Sequence, residues 1–172
     1  DWLGFKIILK ILFQVMGDNR LLTFMRAQLE SFGFFIHGAQ EYLPHIICSE
    51  GVMSKIAPSA DDYTAIDIGI GAVMAHGQAD IGQAVVVCDG RIIGYEDAKG
   101  TNALISQCAD VAGRKILVKM AKPQQDMALD APTIGVRTIE NLHKAGFRGL
   151  VVESGRTIVV NLDKIIDLCN QY

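Results

Sequence analysis

Hydrophobic residues recur along the chain with two different periods, and their order predicts both helices and strands. Apolar residues at helical spacing predict helices over residues 18–32, 59–77, 101–111, 133–145 and 164–170. Runs of β-branched and other apolar residues predict strands over residues 34–37, 84–88, 91–95, 115–121, 150–153 and 156–160. Because strands and helices alternate, we expect an α/β fold in which helices pack on a mixed β-sheet with hairpin insertions.

Glycines in this pattern indicate where the backbone turns and where elements pack closely. Asp89 and Gly90 separate two β-rich runs and form the pair that a two-residue hairpin turn favours. Gly33 follows a helical run and predicts a left-handed helix end. Gly69 and Gly71 interrupt a predicted helix at a cost of about 1 kcal/mol each relative to alanine, so we expect another element to pack against them.

The composition excludes several classes of protein. The chain has 172 residues, half of them hydrophobic, with 16 basic and 19 acidic side chains and a formal net charge of -3. A chain of this size can bury a core, and its charge balance does not supply the clustered basic residues that a nucleic acid partner requires. Its four cysteines form no CxxC pair, which indicates reduced thiols rather than disulfides or a zinc site.

The first residues form a segment with its own pattern. The numbering begins at Asp1, so we expect part of a longer protein or a product of cleavage. Residues 2–16 are rich in Leu, Ile and Phe, but Lys6, Lys10 and Gln14 recur among them at helical spacing, and the apolar run is shorter than a membrane-spanning helix needs. We expect an amphipathic helix packed on a domain, and attachment to a membrane surface is the alternative.

A polar segment between the predicted strand 115–121 and the next predicted helix concentrates residues that can carry chemistry. It contains Asp126 and Asp130, four residues apart and close to Lys122. Ligands of open α/β sheets collect at the carboxyl ends of strands, and a helix N-terminus suits an anionic group. Carboxylate oxygens are ligands that Mg²⁺ prefers, so the segment predicts a metal and phosphate site. The alternative is that Asp130 caps the next helix and Asp126 is a solvated loop charge.

Gly100 and Thr101 form a second candidate for anion binding. They open a predicted helix directly after a strand, so their backbone amides are placed to face an anion. No lysine lies at the spacing of a phosphate-binding loop, and a plain helix cap is the alternative. The four histidines show no metal-ligand spacing, which favours ordinary surface or packed side chains.

The motifs and their order along the chain resemble those of a known family. The residues that carry the likeness are Gly17-Asp18, Gly33-Phe34, Gly38-Ala39, Asp80-Ile-Gly-Gln-Ala-Val-Val-Val87, Gly100-Thr101, Lys122-Pro-x-Gln125, Asp130-x-Pro-Thr-Ile-Gly135, Ala145-Gly146 and Glu153-x-Gly-Arg156. They run over residues 17–162. With them, the chain resembles the C-terminal domain of the LpxI-type UDP-2,3-diacylglucosamine pyrophosphatases of lipid A biosynthesis.

The resemblance implies a hydrolase of lipid metabolism. Its reaction would be cleavage of the pyrophosphate bond of UDP-2,3-diacylglucosamine to UMP and 2,3-diacylglucosamine 1-phosphate, with Mg²⁺ as cofactor and Mn²⁺ as the alternative. The family's critical catalytic aspartate falls on Asp130. The implied metal ligands are Asp130 and Asp126, and the implied substrate-binding residues are Lys122, Gln125, Gly100, Thr101 and Thr133.

The resemblance also implies a two-domain enzyme. Residues 1–16 would be the connection to an N-terminal domain that this chain lacks, and residues 17–172 would form the C-terminal domain. The expected partners are that domain and a nucleotide-sugar lipid substrate, with no nucleic acid. We expect a cytoplasmic protein, with peripheral contact to the cytoplasmic face of the inner membrane as a further expectation.

The chain departs from the family pattern at charged positions. Asn19 and Asn102 replace acidic residues, Ser106 and Gln107 replace basic residues, and Ala128 replaces an arginine. Each change removes a charge where phosphates are expected. The second hypothesis is therefore a homologue that binds a nucleotide-sugar or lipid ligand, or a protein partner, without turning it over. A third is a structural fragment whose exposed inter-domain face drives self-association.

Overall fold

The computed structural model describes residues 18–172, with side chains from Leu21 onward, so the predicted segment 1–16 lies outside the described residues. The helices are α1 (Asp18–Ser31), α2 (Ala39–Tyr42), α3 (Ala60–Gln78), α4 (Thr101–Gln107), α5 (Val136–Lys144) and α6 (Leu162–Gln171), and a 3₁₀ turn (Pro44–Ile46) follows α2. The strands are β1 (Ala84–Cys88), β2 (Arg91–Tyr95), β3 (Lys115–Lys119), β4 (Thr133–Ile134), β5 (Phe147–Val152) and β6 (Ile158–Val159). The predicted α/β class is confirmed.

Four strands form the main sheet in the order β2-β1-β3-β5. β1 pairs antiparallel with β2 and β3, whereas β3 and β5 are parallel, so the sheet is mixed as predicted. The predicted hairpin joins β1 to β2, and its turn residues Asp89 and Gly90 have φ angles of 46° and 75°. A tight hairpin turn of this kind requires such left-handed backbone at both positions. The short strands β4 and β6 form a separate parallel pair.

Helices cover both faces of the main sheet. Successive side chains of β3 point to opposite faces, so Leu117 packs with α4 and α5 while Ile116 and Val118 pack with α3. β1 and β3 are buried along their whole length, as expected for strands covered on both faces. A further apolar cluster joins β4, β6, α5 and α6.

The long helix α3 begins with a capping box and packs on the sheet through a glycine. Ser59 and Asp62 exchange side-chain and backbone hydrogen bonds at its first turn. A Cβ added at Gly69 would lie 2.6 Å from Cγ2 of Val118, so the prediction of close packing is confirmed there. The same prediction is wrong for Gly71, which is exposed and has no atom within 4 Å of such a Cβ.

The structure corrects three of the predicted elements. Residues 34–37 form no strand, because no strand of the described chain pairs with them. The helix predicted over 101–111 ends at Gln107. The helix predicted over 133–145 begins only at Val136, because residues 133–134 pair with the distant strand β6. This last correction matters for the site, since Thr133 does not lie at a helix N-terminus.

The cysteines are reduced, as the sequence predicted. All four cysteines are free, and burial raises the pKa of each thiol. Their positions therefore favour packing over thiolate chemistry.

Within residues 18–172, none of the helices combines the length and apolar character that crossing a bilayer requires.

Candidate active site

The carboxyl ends of β2, β3 and β5 meet the amino end of β1 at one edge of the main sheet. The pairing sets Lys119 opposite Ala84 on one side and opposite Val152 on the other. Polar residues that follow these carboxyl ends or precede the amino end of β1 are therefore close together. We call them the strand-end cluster, and its members are Asp80, Gln83, Glu96, Thr101, Lys119, Lys122, Gln125 and Asp130.

Lys119 and Glu96 are the most deeply buried charged pair of the cluster. Their side chains are 5% and 6% exposed, and Lys119 Nζ lies 3.7 Å from Glu96 Oε1. Thr101 links them, because its hydroxyl accepts a hydrogen bond from Lys119 Nζ at 2.8 Å and donates one to Glu96. The backbone N–H of Gln83 donates to the other Glu96 oxygen at 2.8 Å. Both carboxylate oxygens of Glu96 are thus held in place.

Burial and nearby carboxylates have opposite effects on the pKa of Lys119. Burial lowers the pKa of Lys119 from its ordinary value, whereas the carboxylates of Glu96 and Asp130 oppose that shift. Of the two carboxylates, Glu96 is the one within ion-pair distance of Lys119 Nζ.

Gln125 orients the Asp130 carboxylate from another direction. Its Nε2 donates to Asp130 Oδ2 at 2.7 Å, and its own Oε1 accepts from the backbone N–H of Lys122 at 2.9 Å. Gln125 is 6% exposed, so water competes little for these bonds. The backbone N–H of Asp130 donates to the carbonyl of Asp126 at 3.0 Å, which fixes the loop around it.

Lys122 is paired within the protein. Its Nζ donates to Asp80 Oδ1 at 2.7 Å, and the side chains are 6% and 17% exposed. Asp80 holds a left-handed backbone conformation, with φ of 56°, in the turn that precedes β1. The cluster as a whole carries three carboxylates, Asp80, Glu96 and Asp130, against the two ammonium groups.

Residues that follow β5 contact the start of the loop that carries Lys122, Gln125 and Asp130. Glu153, which follows β5, accepts a hydrogen bond from the backbone N–H of Ala121 at 2.8 Å. Arg156 contacts the same carboxylate at 3.4 Å and the Lys122 carbonyl at 3.5 Å. The Glu153-x-Gly-Arg156 motif thus contacts the segment that carries Lys122.

Asp126 has a different environment from Asp130. Its Oδ2 accepts from Arg26 of α1 at 2.6 Å, and its Oδ1 accepts from the backbone N–H of Ala128 at 3.0 Å. Among the described residues, no group of three His, Cys, Asp or Glu side chains is arranged to hold a metal ion. Mg²⁺ is often bound through one or two carboxylates together with substrate phosphates. Asp130 fits such a ligand, whereas Asp126 is occupied by a cation, and the metal roles of both stay predictions.

Gly100 and Thr133 lie apart from the contacts of Asp130. Gly100 has a φ of 82° and caps α4, and its N–H donates to the carbonyl of Asp97 at 2.9 Å. Thr133 is exposed in β4, and its hydroxyl donates to the carbonyl of Ala131 at 3.0 Å. Of the residues implied to bind substrate, Gln125 bonds to Asp130, whereas Thr101 bonds to Lys119 and Glu96, and Lys122 pairs with Asp80.

Half of the strand-end cluster had no role predicted from the sequence, although the residue type at position 119 was a usable signal. Asp80, Gln83, Glu96 and Lys119 had no predicted role. Lys119 lies inside the apolar strand predicted over residues 115–121, where an unpaired buried charge would be costly, so its type was informative. Glu96 follows a hairpin strand, and only the folded sheet brings it to Lys119. Buried Oε1 of Gln83 accepts no hydrogen bond from any described residue.

The fold and the site define a class of protein: an α/β domain with a buried, charged cluster at the carboxyl ends of its strands, where such folds bind ligands. The family model of the LpxI C-terminal domain matches residues 49–172, so the chain belongs to that family, as the motifs predicted. A curated relative, the UDP-2,3-diacylglucosamine pyrophosphatase LpxI of Caulobacter vibrioides, is 35% identical over 159 residues. The match covers 87% of this chain and 57% of that relative.

Proposed function

We propose that this chain provides the catalytic domain for hydrolysis of UDP-2,3-diacylglucosamine to UMP and 2,3-diacylglucosamine 1-phosphate. The family membership and the name of the Caulobacter relative support this substrate. Because the chain spans only 57% of that relative, the substrate site would be completed by a further domain. The role in lipid A biosynthesis follows from the same relationship.

The observation that carries the proposal is the setting of Asp130. Its carboxylate accepts a hydrogen bond from buried Gln125 at 2.7 Å, and its negative charge raises the pKa of buried Lys119 against the effect of burial. A carboxylate oriented by a buried amide, in the loop that follows the carboxyl end of a strand, is suited to orient a water molecule and to accept its proton. The water oxygen forms a bond to one phosphorus, the bond from that phosphorus to the bridging oxygen breaks, and two phosphate monoesters leave.

The neighbouring residues would bind the phosphate oxygens. Thr101 and Gln125 carry polar groups next to the reacting region, and Lys122 adds positive charge that its pair with Asp80 reduces. Mg²⁺, or Mn²⁺ in its place, would neutralise phosphate charge when bound, with Asp130 as its protein ligand. Thr133 and Gly100 gain no support from their contacts.

The substitution Asp130→Asn tests this role without changing the size of the side chain. The chain is assayed alone and fused to the part of the Caulobacter relative that the alignment leaves uncovered, with UMP release as the readout. We expect release by the fusion and a loss of about 100-fold or more in Asp130→Asn, the range for loss of a general base. Asp167→Asn, an exposed change in α6, is the matched control. Full activity of Asp130→Asn would contradict the assignment.

The second candidate is a domain that binds the same ligand without hydrolysis. Two contacts favour it: Arg26 pairs with Asp126, and Asn141 donates to Asn102 at a position where the resemblance implies an acidic residue. A titration with the substrate distinguishes the candidates. Binding without UMP release in Mg²⁺ or Mn²⁺ selects the second candidate, and measurable release eliminates it.

A further inference from the structure

Asp130 lies at the end of a turn, residues 126–130, whose backbone is organised by Asp126. The Asp126 carbonyl accepts hydrogen bonds from the backbone N–H groups of Leu129 and Asp130, both at 3.0 Å. Its side-chain Oδ1 accepts from the backbone N–H of Ala128 at 3.0 Å, the bond of an aspartate to the backbone two residues on. The position of the Asp130 main chain therefore depends on where Asp126 is held.

Asp126 is held from helix α1. Arg26 Nη1 donates to Asp126 Oδ2 at 2.6 Å, and the two side chains are 29% and 24% exposed. Arg26 Nε also donates to Glu30 Oε1 at 2.7 Å, one turn later in α1, which restricts the guanidinium group. One oxygen of the Asp126 carboxylate thus bonds to α1 and the other bonds to the turn itself.

A second side chain from the same part of the chain contacts the turn. Gln40 of α2 donates through Nε2 to the carbonyl of Met127 at 3.0 Å. Residues 126–130 belong to no helix or strand, so the pairing of the sheet does not fix their conformation. The bonds from Arg26 and Gln40 therefore restrict a segment that its own secondary structure leaves free to move.

We infer that Arg26 is a positioning residue: through its bond to Asp126, it holds the turn 126–130 in the conformation that presents Asp130 for hydrolysis. The inference rests on the proposed function, and it gives Asp126 a role in the turn rather than at a metal ion. Without the guanidinium group, the turn would keep its internal hydrogen bonds but lose its bond to α1. Asp130 would then occupy its reactive position for a smaller fraction of the time.

Arg114 provides a matched control. Like Arg26, it joins two carboxylates, those of Asp61 at 3.2 Å and Asp89 at 3.4 Å. It precedes β3, whereas the turn 126–130 follows the other end of that strand. Removal of its guanidinium group therefore breaks two ion pairs without affecting the contacts of the turn.

The experiment compares Arg26→Met with Arg114→Met in the fusion protein. We expect kcat for UMP release to fall about 10-fold in Arg26→Met, because a small misplacement of a reacting group slows the chemical step. KM should stay within about threefold, since the residues proposed to bind phosphate keep their contacts. Arg26→Lys keeps the charge with fewer donors and should recover part of kcat, and Arg114→Met should keep all of it. Wild-type kcat in Arg26→Met would overturn the inference and leave the proposed function intact.

A double-mutant cycle distinguishes this role of Asp126 from metal binding. Asp126→Asn should lower kcat in the wild-type background and have little further effect in Arg26→Met, because both changes break the same contact. A metal ligand would behave differently: Asp126→Asn would then lower kcat by the same factor in both backgrounds and raise the Mg²⁺ concentration required. Such additive effects would contradict the inference.

A further readout does not depend on turnover. The backbone N–H groups of Ala128, Leu129 and Asp130 donate to Asp126, so their hydrogen exchange in the chain alone reports the stability of the turn. We expect exchange about fivefold faster in Arg26→Met, the size of effect that a partly exposed ion pair can have, and unchanged in Arg114→Met. If wild-type protein releases no UMP, the proposed function fails, and these rates still decide whether Arg26 holds the turn. Equal exchange in wild type and Arg26→Met would show that it does not.

Discussion

The two ends of β3 each carry a buried lysine, and the two lysines have different kinds of partners. Lys115 donates to main-chain carbonyls of Cys108 and Ala109. Lys119 Nζ instead donates to the hydroxyl of Thr101 and pairs with the carboxylate of Glu96. Main-chain carbonyls fix the fold, whereas side chains can rearrange when a ligand arrives. Equal burial on one strand therefore does not imply an equal role.

The polarity of α4 reinforces this difference. The helix runs from Thr101 beside Lys119 to Gln107 near Lys115, antiparallel to β3. Carbonyl groups at a helix C-terminus favour a nearby cation, and amide groups at the N-terminus disfavour one. Lys115 therefore gains from its position, whereas Lys119 depends on Glu96 for compensation. A cation kept at an unfavourable helix end is more simply explained by a ligand or a reaction than by stability.

The surroundings of the two ends extend the comparison. Near Lys115, Arg148 of β5 pairs with Asp62 of α3 at 3.2 Å, and Arg114 pairs with Asp89 of the hairpin turn at 3.4 Å. These pairs connect elements of secondary structure. At the other end, Lys122 and Gln125 belong to a loop, where Lys122 pairs with Asp80 and Gln125 donates to Asp130. We call the region of Lys115 and these two ion pairs, Arg148–Asp62 and Arg114–Asp89, the structural end, in contrast to the strand-end cluster.

The largest effect on stability is expected between the two ends, where α3 packs on β3. In Gly69→Ala the new methyl group would lie 2.6 Å from the stiff side chain of Val118, and the clash should outweigh the better helix propensity of alanine. We expect a loss of about 1–2 kcal/mol in the free energy of unfolding, measured by urea titration. Activity of the folded fraction should change little, which separates general destabilisation from the effect of Asp130→Asn.

Gly71→Ala is the matched control in the same helix. Its methyl group would meet no atom within 4 Å, so only helix propensity changes. We expect a gain of about 0.5–1 kcal/mol. If both glycine variants shifted the urea midpoint in the same direction, close packing of α3 on β3 would not be the cause.

Local patterns predicted elements that local interactions determine. The hairpin was predictable because Asp89 and Gly90 adopt the left-handed backbone that their types favour. The start of α3 was predictable from Ser59 and the acidic first turn, which form a capping box. The first turn of the helix predicted at 133 was wrong because Thr133 pairs with a strand 25 residues later. Pairing across such a distance leaves no local pattern.

The site was predictable only in part, for the same reason. Asp130, Lys122 and Gln125 lie in one loop, so their short spacing reflects their proximity in space. Glu96 and Lys119 come together only through the register of β2, β1 and β3. The ion pair between Arg26 and Asp126 joins residues 100 positions apart, and no spacing rule could have found it.

A smaller effect on activity is expected for Thr101→Val, which sharpens the comparison at the strand-end cluster. Valine keeps the shape of threonine but removes the hydroxyl that joins Lys119 to Glu96. The buried ammonium group and carboxylate would each lose a partner, and we expect kcat for UMP release to fall about 10-fold, equivalent to about 1.4 kcal/mol. Thr101→Ser retains the hydroxyl and should keep most of the rate. Full activity in Thr101→Val would show that UMP release does not depend on the hydroxyl that joins Lys119 to Glu96.

The smallest effect is expected from Asp62→Asn at the structural end, and it depends on pH. Hydrogen bonds from Ser59, and then the nearby Arg148, hold the pKa of the Asp62 carboxyl below its usual value. Because the folded-state pKa is the lower one, the ionised carboxylate stabilises the fold above the unfolded pKa of about 4, and this contribution is lost as the pH falls through the folded pKa. Urea midpoints of wild type and Asp62→Asn should therefore differ at pH 7 and converge toward pH 3. Asp67→Asn, exposed on the same helix, controls for loss of charge. UMP release should not change, and a midpoint difference independent of pH would show that these bonds do not lower the pKa of Asp62.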